Sequence, residues 1–377
     1  MLAMIYATRS VLPSRTANSV QSAHMAKAWE ELVPGVQVAY RTDRSEESPL
    51  EHFAGYGLEP PQRTHAIPIR FLDDCLHGYL VSFAFFLKQC SKSLPIYTRS
   101  TRMAWVAVNM GRVTVLELHD PLIPIRVKFL KRALRGGGMT VLVVTTERLK
   151  QDVIDQIGIE AERVFVAGGA AAANYTKVSP TQLGSIYSKG YQVGYAGSAL
   201  KGKGVDIFLA CARLMPDVTF HLIGPDKGDC ERLGGATQNV VLHGYQAGRL
   251  VVGLLKAMDV LLLPNQPSVI IRSGADIGQH TSPIKLFEYM AAGRPIIVSD
   301  LPVFDHLLAD RKNSLRVPAS DAAAFCRAIR ELQKSPELAS RLSNQAQRDF
   351  ESNHTWNHRV CRINDFLSEH GIELKST

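Results

Sequence analysis

The sequence of 377 residues lacks any uncharged apolar run long enough to span a bilayer, since the longest, residues 78–87, has about half the required length. The first residues carry neither a charged leader nor a small-residue cleavage site, so we expect residues 2–6 to form a strand rather than part of a signal peptide. The six cysteines are scattered without a Cys-x-x-Cys pair, which argues against a zinc site or a disulfide framework and fits a reducing cytoplasm. An Asp-x-Asp sequence and any other cluster of metal ligands are also missing, so we predict no metal site.

Acidic residues are scarce in one part of the chain. The 43 Lys and Arg against 35 Asp and Glu give a net charge of +8, and residues 84–150 hold twelve basic and only three acidic side chains. A basic surface of this kind attracts phosphates, anionic lipid or nucleic acid. Nucleic acid is the least expected of these partners, because the segment lacks interleaved aromatic residues and a nucleic-acid-binding motif. Two interpretations of residues 126–135 stay open: a helix on an anionic membrane surface, or a helix whose apolar residues pack into a core while its charges face water. The basic side chains concerned are Arg126, Lys128, Lys131, Arg132 and Arg135.

Short apolar runs alternate with amphipathic segments along the whole chain. This alternation predicts an α/β fold with parallel sheets covered by helices on both faces. The polar segment 174–190 is the best candidate linker, so we predict Rossmann-like domains over residues 1–178 and 179–352, followed by a C-terminal helix within 353–377. The predicted strands are residues 2–6, 36–40, 95–98, 113–118, 140–145, 164–167, 192–196, 218–223, 240–242, 260–263 and 295–299.

Residues 282–295 carry the most informative pattern. Ser282 is a suitable N-cap, Pro283 suits the first helical position and Gly293 suits the helix end. A helix N-terminus binds phosphate, and Lys285 in its first turn is unfavourable for the helix dipole unless an anion is bound there. Glu288 shares a helix face with Lys285, where its carboxylate can accept two ribose hydroxyls. The alternative is a plain capped helix with an ion pair between Lys285 and Glu288.

Two further segments carry candidate chemistry. Residues 193–206 predict a strand, a Gly-rich turn and a helix, in which Gly197 permits close approach of a ligand and Lys203 supplies a charge for phosphate. The turn is neither a dinucleotide fingerprint nor a Walker loop, so an ordinary strand-to-helix turn remains the alternative. His119 lies at the carboxyl end of a predicted strand, where open parallel sheets bind ligands, although a lone His is more often structural.

In their order and spacing, these segments resemble the family 4 glycosyltransferases, and the resemblance covers nearly the whole chain. It implies the GT-B fold, in which two Rossmann-like domains with parallel sheets face a central cleft, with the acceptor bound by the first domain and a nucleotide-sugar by the second. It also implies transfer with retention, and a last helix, from about residue 356, that crosses back to the first domain. Further matching segments are residues 13–21, 96–100, 117–120, 239–245, 259–264 and 285–293.

The sequence departs from the family pattern at three places. His280 stands where the family usually has the Glu that contacts the donor sugar, so the resemblance implies altered donor handling. Ser198 replaces a frequent Arg, which leaves Lys203 and Lys285 as the cations for the diphosphate. Residues 168–171, Gly-Gly-Ala-Ala, replace the usual Asn-Gly-Val-Asp turn, losing a side-chain contact but keeping a flexible backbone.

The residues and the resemblance together predict a retaining, metal-independent glycosyltransferase of glycan biosynthesis. It would use a UDP- or GDP-sugar as substrate and no cofactor, act on a glycan, lipid-linked or small-molecule acceptor, and lie in the cytoplasm or at the inner face of the membrane. The alternatives are a catalytically silent GT-B subunit that binds a partner or membrane lipid, favoured by His280, and a nucleotide-sugar epimerase.

Site residues follow from the same resemblance. The predicted catalytic residues are His119, Lys203, Lys285 and Glu288. The predicted donor-binding residues are Gly197, Ser198, Lys203, Tyr245, His280, Ser282, Ile284, Lys285 and Glu288. The predicted first-loop and acceptor residues are Thr16, Ala17, Asn18 and Arg99.

Overall fold

A computed structural model describes residues 4–68, 78–136, 138–139, 141–184, 190–246, 248–271 and 274–374. The chain divides into two compact units, one of Met1–Gly168 with Trp356–Thr377 and one of Gly169–Thr355. None of the described helices is long and apolar enough to cross a membrane.

The first unit is built on a seven-stranded parallel sheet in the order β3-β2-β1-β4-β5-β6-β7. Its described elements are β1 (Ile5–Val11), α1 (Ala17–Leu32), β2 (Gln37–Thr42), α2 (Pro49–Ala54), β3 (Arg63–Pro68), α3 (Gly78–Gln89), β4 (Ile96–Thr98), α4 (Thr101–Asn109), β5 (Thr114–Leu118), α5 (Pro124–Arg135), β6 (Leu142–Val144), α6 (Glu147–Ile157) and β7 (Val164–Val166), joined by the last helix of the chain, Trp356–Glu369.

The second unit is built on a six-stranded parallel sheet in the order β10-β9-β8-β11-β12-β13. Its described elements are β8 (Gln192–Ala196), α7 (Val205–Leu214), β9 (Thr219–Ile223), α8 (Lys227–Arg232), β10 (Val240–Gly244), α9 (Arg249–Lys256), β11 (Val260–Leu263), α10 (Ile284–Ala292), β12 (Ile296–Ser299), β13 (Leu315–Val317), α11 (Ala322–Lys334) and α12 (Pro336–Asn353). The helix Trp356–Glu369 that follows is α13.

The strand order places a ligand-binding position in each sheet. The central strands β8, β11 and β12 are buried along their whole length, which explains their continuous apolar runs. The direction of chain progression reverses between β1 and β4 in the first unit and between β8 and β11 in the second. In open parallel sheets, ligands bind outside the carboxyl ends of the strands at such a reversal.

The predicted architecture of two parallel-sheet units is confirmed. Every predicted strand overlaps an observed one, although residues 2, 3 and 140 lie outside the described part of the chain. The prediction missed β3 and β13, each of which is one of the two edge strands of its sheet. An edge strand pairs on one side only. A polar run that ends in Pro68 can therefore form β3, and a run of only three residues, Leu315–Val317, can form β13.

The predicted boundary at residue 178 lies inside the second unit. Tyr175 and Val178 are buried in that unit's core with Phe287 and Met290 of α10, so the start of the predicted linker is a packed segment. Residues 185–189 of the predicted linker lie outside the described residues.

The helices α5 and α13 both pack within the first unit. On α5, Leu130 and Ala133 are buried and Phe129 and Leu134 pack against the same core, while its lysines face solvent, as the core-packing interpretation requires. On α13, Trp356 stacks on His24 of α1 with ring centres 5.8 Å apart, which joins the end of the chain to the first helix.

Candidate functional site

The turn after β8 leaves space for a lysine that comes from α10. Gly197 has a φ of 157°, and a Cβ at this position would overlap Lys285 Nζ. Lys285 Nζ donates to Tyr195 Oη at 3.0 Å and lies 4.3 Å from the centre of the Tyr195 ring. The Tyr195 hydroxyl lies 3.1 Å from the carbonyl oxygen of Ser198 and 3.2 Å from that of Lys203, and donates to this pair. The missing side chain at Gly197 therefore allows the ammonium group to be fixed at the carboxyl end of the strand.

Two lysines of like charge lie near each other at this edge. Burial lowers the pKa of Lys203 to about 8, and its Nζ lies 3.5 Å from Thr281 Oγ1. Burial and the neighbouring charge of Lys203 hold the pKa of Lys285 well below its usual range. An anion bound beside them would favour the charged form of both lysines, because it would offset their repulsion and desolvation.

Helix α10 begins without a side-chain cap. We predicted Ser282 as its N-cap, but the cap position is Pro283, and the Ser282 hydroxyl instead accepts the Gly169 N–H at 2.8 Å. The prediction was wrong because this longer-range contact occupies the hydroxyl. Ile284 and Lys285 open the helix, and their N–H groups receive no capping side chain within the described part of the chain. Uncapped N–H groups at the positive end of a helix favour a bound anion.

Gly169, which stands at the glycine position of the Asn-Gly-Val-Asp turn that residues 168–171 replace, has a steric role. A Cβ at Gly169 would lie 2.7 Å from Phe287 Cε2, a contact that side chains do not tolerate. Glycine at this position therefore lets the backbone approach α10 closely and donate to Ser282.

Glu288 is a partly buried carboxylate on the same helix. Burial raises its pKa to about 7, against the opposing effect of Lys285. Among the described residues it has no hydrogen-bond donor and no cation within 4 Å, so the ion pair with Lys285 that a plain helix would show is not formed. The carboxylate oxygens are therefore available to a ligand hydroxyl.

The other predicted donor residues lie at the same edge of the second sheet. Ser198 is exposed next to Gly197, and Tyr245, 46% exposed, directly follows β10. His280 ends a short 3₁₀ helix, Gly278–His280, just before α10. The Asp276 carboxylate accepts the N–H groups of Val269 and Gly278 at 2.9 and 2.8 Å, which keeps the loop before His280 compact.

In the first unit, a buried carboxylate gathers four side chains at the end of β5. Glu117 accepts two hydrogen bonds from Arg359 of α13, at 2.9 and 3.2 Å, and one from the Tyr97 hydroxyl. Its Oε1 also accepts from His119 Nε2 and, at 3.4 Å, from Gln21. Although burial opposes ionisation, Arg359 and His119 hold the pKa of Glu117 well below its usual range.

This network determines the tautomer of His119. Burial, and next the charge of Arg99, lower the pKa of His119 to about 4, so the ring is neutral at pH 7. An ionised Glu117 only accepts hydrogen bonds, so the proton of the neutral ring is on Nε2 and Nδ1 is an acceptor. His119 can therefore accept a hydrogen bond from a ligand hydroxyl through Nδ1.

The first-loop residues lie near the same side of the unit. Thr16 is the N-cap of α1 and accepts the Ser19 N–H at 3.3 Å, and Ala17 is the exposed first residue of that helix. Asn18 Oδ1 accepts from Arg99 Nη2 at 3.1 Å, so the structure brings these two predicted residues together.

Sequence reasoning missed several members of both sites. Glu117 lay in a noted segment but received no role, although a charged residue within an apolar strand is itself a signal of a buried partner. Tyr195 was indistinguishable from an ordinary core aromatic. Arg359 had no local signal, because its partner is 242 residues away.

Comparison with known proteins shows what parts of the chain are similar to. Residues 190–335 match the family Glycosyl transferases group 1. A 129-residue stretch, 33% of this chain and 31% of the relative, is 31% identical to the phosphatidyl-myo-inositol mannosyltransferase of Mycobacterium leprae. A 126-residue stretch, 32% of this chain and 34% of the relative, is 24% identical to the processive diacylglycerol alpha-glucosyltransferase of Acholeplasma laidlawii. The chain thus spans about a third of the length of these curated relatives.

A solved structure extends the likeness to the whole fold. The Anabaena protein HepE, crystallised with UDP, matches with a TM-score of 0.71 at 16% identity, over 98% of this chain and 100% of that one. Two Rossmann-like units with parallel sheets of seven and six strands define the GT-B fold. Within this fold, residues 190–335 are the part of the chain that matches the Glycosyl transferases group 1 family.

Proposed function

We propose that this protein is a retaining, metal-independent glycosyltransferase that uses a UDP- or GDP-sugar. The observation that carries the proposal is the group formed by Lys203, Lys285 and Glu288 at the uncapped start of α10. Two partly buried cations and free N–H groups complement a diphosphate, and an unpartnered carboxylate one turn further along complements a ribose. The UDP bound to HepE supports this ligand class.

The lysines would supply the charge stabilisation that the leaving diphosphate needs. In the proposed reaction the bond from the sugar to the diphosphate breaks, and negative charge grows on the phosphate oxygens. Lys203, Lys285 and the start of α10 are fixed before the reaction, so they stabilise that charge without reorganising. This arrangement is the support for a mechanism without a metal ion.

His119 would act on the sugar rather than on the nucleotide. Its neutral ring with an acceptor at Nδ1 can orient a hydroxyl of the donor sugar near the reacting carbon. Retention of configuration rests on the resemblance to family 4. We propose that the first unit binds the acceptor, which is a glycan, a lipid-linked molecule or a small molecule. We also propose that the exposed charges of α5 contact the anionic surface at the inner face of a membrane.

A catalytically silent subunit is the second candidate, and His280 is the observation that favours it. An imidazole can donate a hydrogen bond, whereas the carboxylate of the Glu expected there only accepts. A donor site altered in this way could bind nucleotide without transferring the sugar.

Thermal stabilisation by UDP-, GDP-, ADP- and CMP-sugars tests the donor site. A ligand at one hundred times its dissociation constant adds about 2.7 kcal/mol to stability. Glu288→Gln should reduce this stabilisation, whereas Glu351→Gln, at an exposed position of α12, should not. Product configuration followed by NMR with the stabilising donor then tests transfer and retention. Absence of any nucleotide effect would contradict the donor site, and binding without transfer across many acceptors would favour the silent subunit.

A further inference from the structure

A cavity of about 610 Å³ opens within the first unit, beside His119. Its floor includes Glu117 and His119 at the end of β5, and its walls come from α1 and from α3, α4 and α5. A volume of this size accommodates a ligand of several hundred daltons.

Positive charge dominates the cavity wall. The two lining carboxylates are Glu117, which already pairs with Arg359 and His119, and Asp120. Across the described ranges, no carboxylate lies within 4 Å of any of the lining cations in an ion pair. These cations are Arg9, Arg99, Arg102, Arg126, Lys128 and Arg132.

One of these cations has an unsatisfied donor. Arg99 Nη2 donates to Asn18, but its Nη1 is buried and has no hydrogen-bond partner among the described residues. A buried guanidinium N–H without an acceptor is costly, and such groups in native structures call for a ligand or ion. A phosphate oxygen is the acceptor that suits an arginine fork.

Apolar side chains line the rest of the same cavity. Trp105, Ile123 and Ile125 are 54, 52 and 75% exposed, and Leu80 and Phe129 line the wall with them. Single exposed apolar residues are ordinary, but a group of them around one concave cationic site indicates a ligand with an apolar part.

We propose that this cavity binds an acceptor that carries a phosphate group next to an apolar chain. Arg99 and the neighbouring cations hold the phosphate, and Trp105 with the isoleucines at the start of α5 contacts the chain. The acceptor hydroxyl is then near His119, at the cavity floor. This inference rests on the proposed function only in calling the ligand an acceptor. The binding of the ligand to the cavity does not depend on that function.

Calorimetry with three soluble probes at fixed ionic strength tests the ligand class. Hexyl phosphate carries both features, glucose 6-phosphate carries the phosphate alone, and hexanol carries the chain alone. We expect hexyl phosphate to bind at least about tenfold more tightly than either of the others. Equal binding of glucose 6-phosphate would overturn the apolar part and indicate a soluble phosphorylated acceptor. Equal binding of hexanol would overturn the phosphate part.

Matched variants on α5 separate the cavity from the general charge of the helix. Arg132 and Lys128 line the cavity, whereas Arg135 and Lys131 are exposed on the same helix without lining it. Arg132→Gln and Lys128→Gln should each weaken hexyl phosphate binding by about tenfold, since a charge-assisted contact is lost. Arg135→Gln and Lys131→Gln should leave the affinity within about twofold. Equal losses in all four variants would show a diffuse electrostatic effect and contradict a built site.

Failure of this inference can be distinguished from failure of the proposed function. Trp105→Ala should weaken hexyl phosphate while thermal stabilisation by the nucleotide-sugar stays unchanged. Sugar transfer to acceptors without a phosphate, with no binding of hexyl phosphate, would overturn the inference and leave the proposed function intact. If the protein binds hexyl phosphate but no nucleotide-sugar, the result would support this inference and contradict the proposed function.

Discussion

Breaking the ion pair between Arg359 and Glu117 should cost more than breaking any exposed pair in the first unit. Both residues are about 1% exposed, and Arg359 makes two hydrogen bonds to the carboxylate and others to the carbonyls of Ala167 and Gly168. Arg359→Met would leave Glu117 buried without its main counter-charge. Loss of one partner of a buried pair costs about 3–5 kcal/mol.

The matched control is the pair of Arg148 and Asp152, which lie 3.0 Å apart on α6 at the edge of solvent, with Arg148 57% and Asp152 13% exposed. Arg148→Met should cost no more than about 1 kcal/mol. The double variant Arg359→Met with Glu117→Gln removes both buried charges, so it should be about 2 kcal/mol more stable than the sum of the single effects.

Urea unfolding followed by tryptophan fluorescence measures these differences in the free energy of unfolding of the first unit. All three tryptophans, Trp29, Trp105 and Trp356, belong to the first unit, so their signal reports its unfolding. A cost for Arg359→Met within 1 kcal/mol of the Arg148 control, or strict additivity in the double variant, would refute the reasoning.

The remaining predictions concern the donor site, donor choice and acid stability. Lys285→Ala should lower turnover roughly a hundredfold, about 3 kcal/mol in the barrier, because one fixed cation that stabilises the leaving diphosphate is lost; full turnover would show that this lysine does not act on the leaving group. Gly197→Ala should weaken nucleotide binding in calorimetry, because the added methyl displaces that ammonium; unchanged affinity would contradict the contact. His280→Glu should change relative rates with different donors more than the unfolding midpoint, and an unchanged donor ranking would argue against contact with the sugar. Burial lowers the pKa of His24 to about 4, so the unfolded chain binds the extra proton between pH 6.5 and 4, and stability should fall by up to about 3 kcal/mol as pH drops through that window. Because His119 of the same unit has a similarly lowered pKa, His24→Gln should reduce this decline in the tryptophan signal without removing it, and an identical decline would assign it to other groups.

The central strands were predictable because burial on both faces demands apolar side chains. Strands such as β8 and β11 therefore stand out as continuous runs, and the segments that follow them carry Gly197 and the start of α10. The order of these segments along the chain, with Lys203, Lys285 and Glu288 in their places, predicted the fold class, which the structure confirms. The donor site that the same segments predicted stays a prediction. Local sequence also accounts for the ends of α6, which begins after the capping Thr146 and ends before Gly158, a residue in the left-handed conformation.

Only the tertiary structure decided which side chains meet. The Ser282 hydroxyl has the sequence context of an N-cap, yet the backbone of Gly169, 113 residues away, occupies it. The tautomer of His119 depends on Glu117, whose ionisation depends in turn on Arg359 from the last helix. A helix or strand is specified by neighbours along the chain, whereas the charge state of a buried group is specified by neighbours in space, which the chain brings together only when it folds.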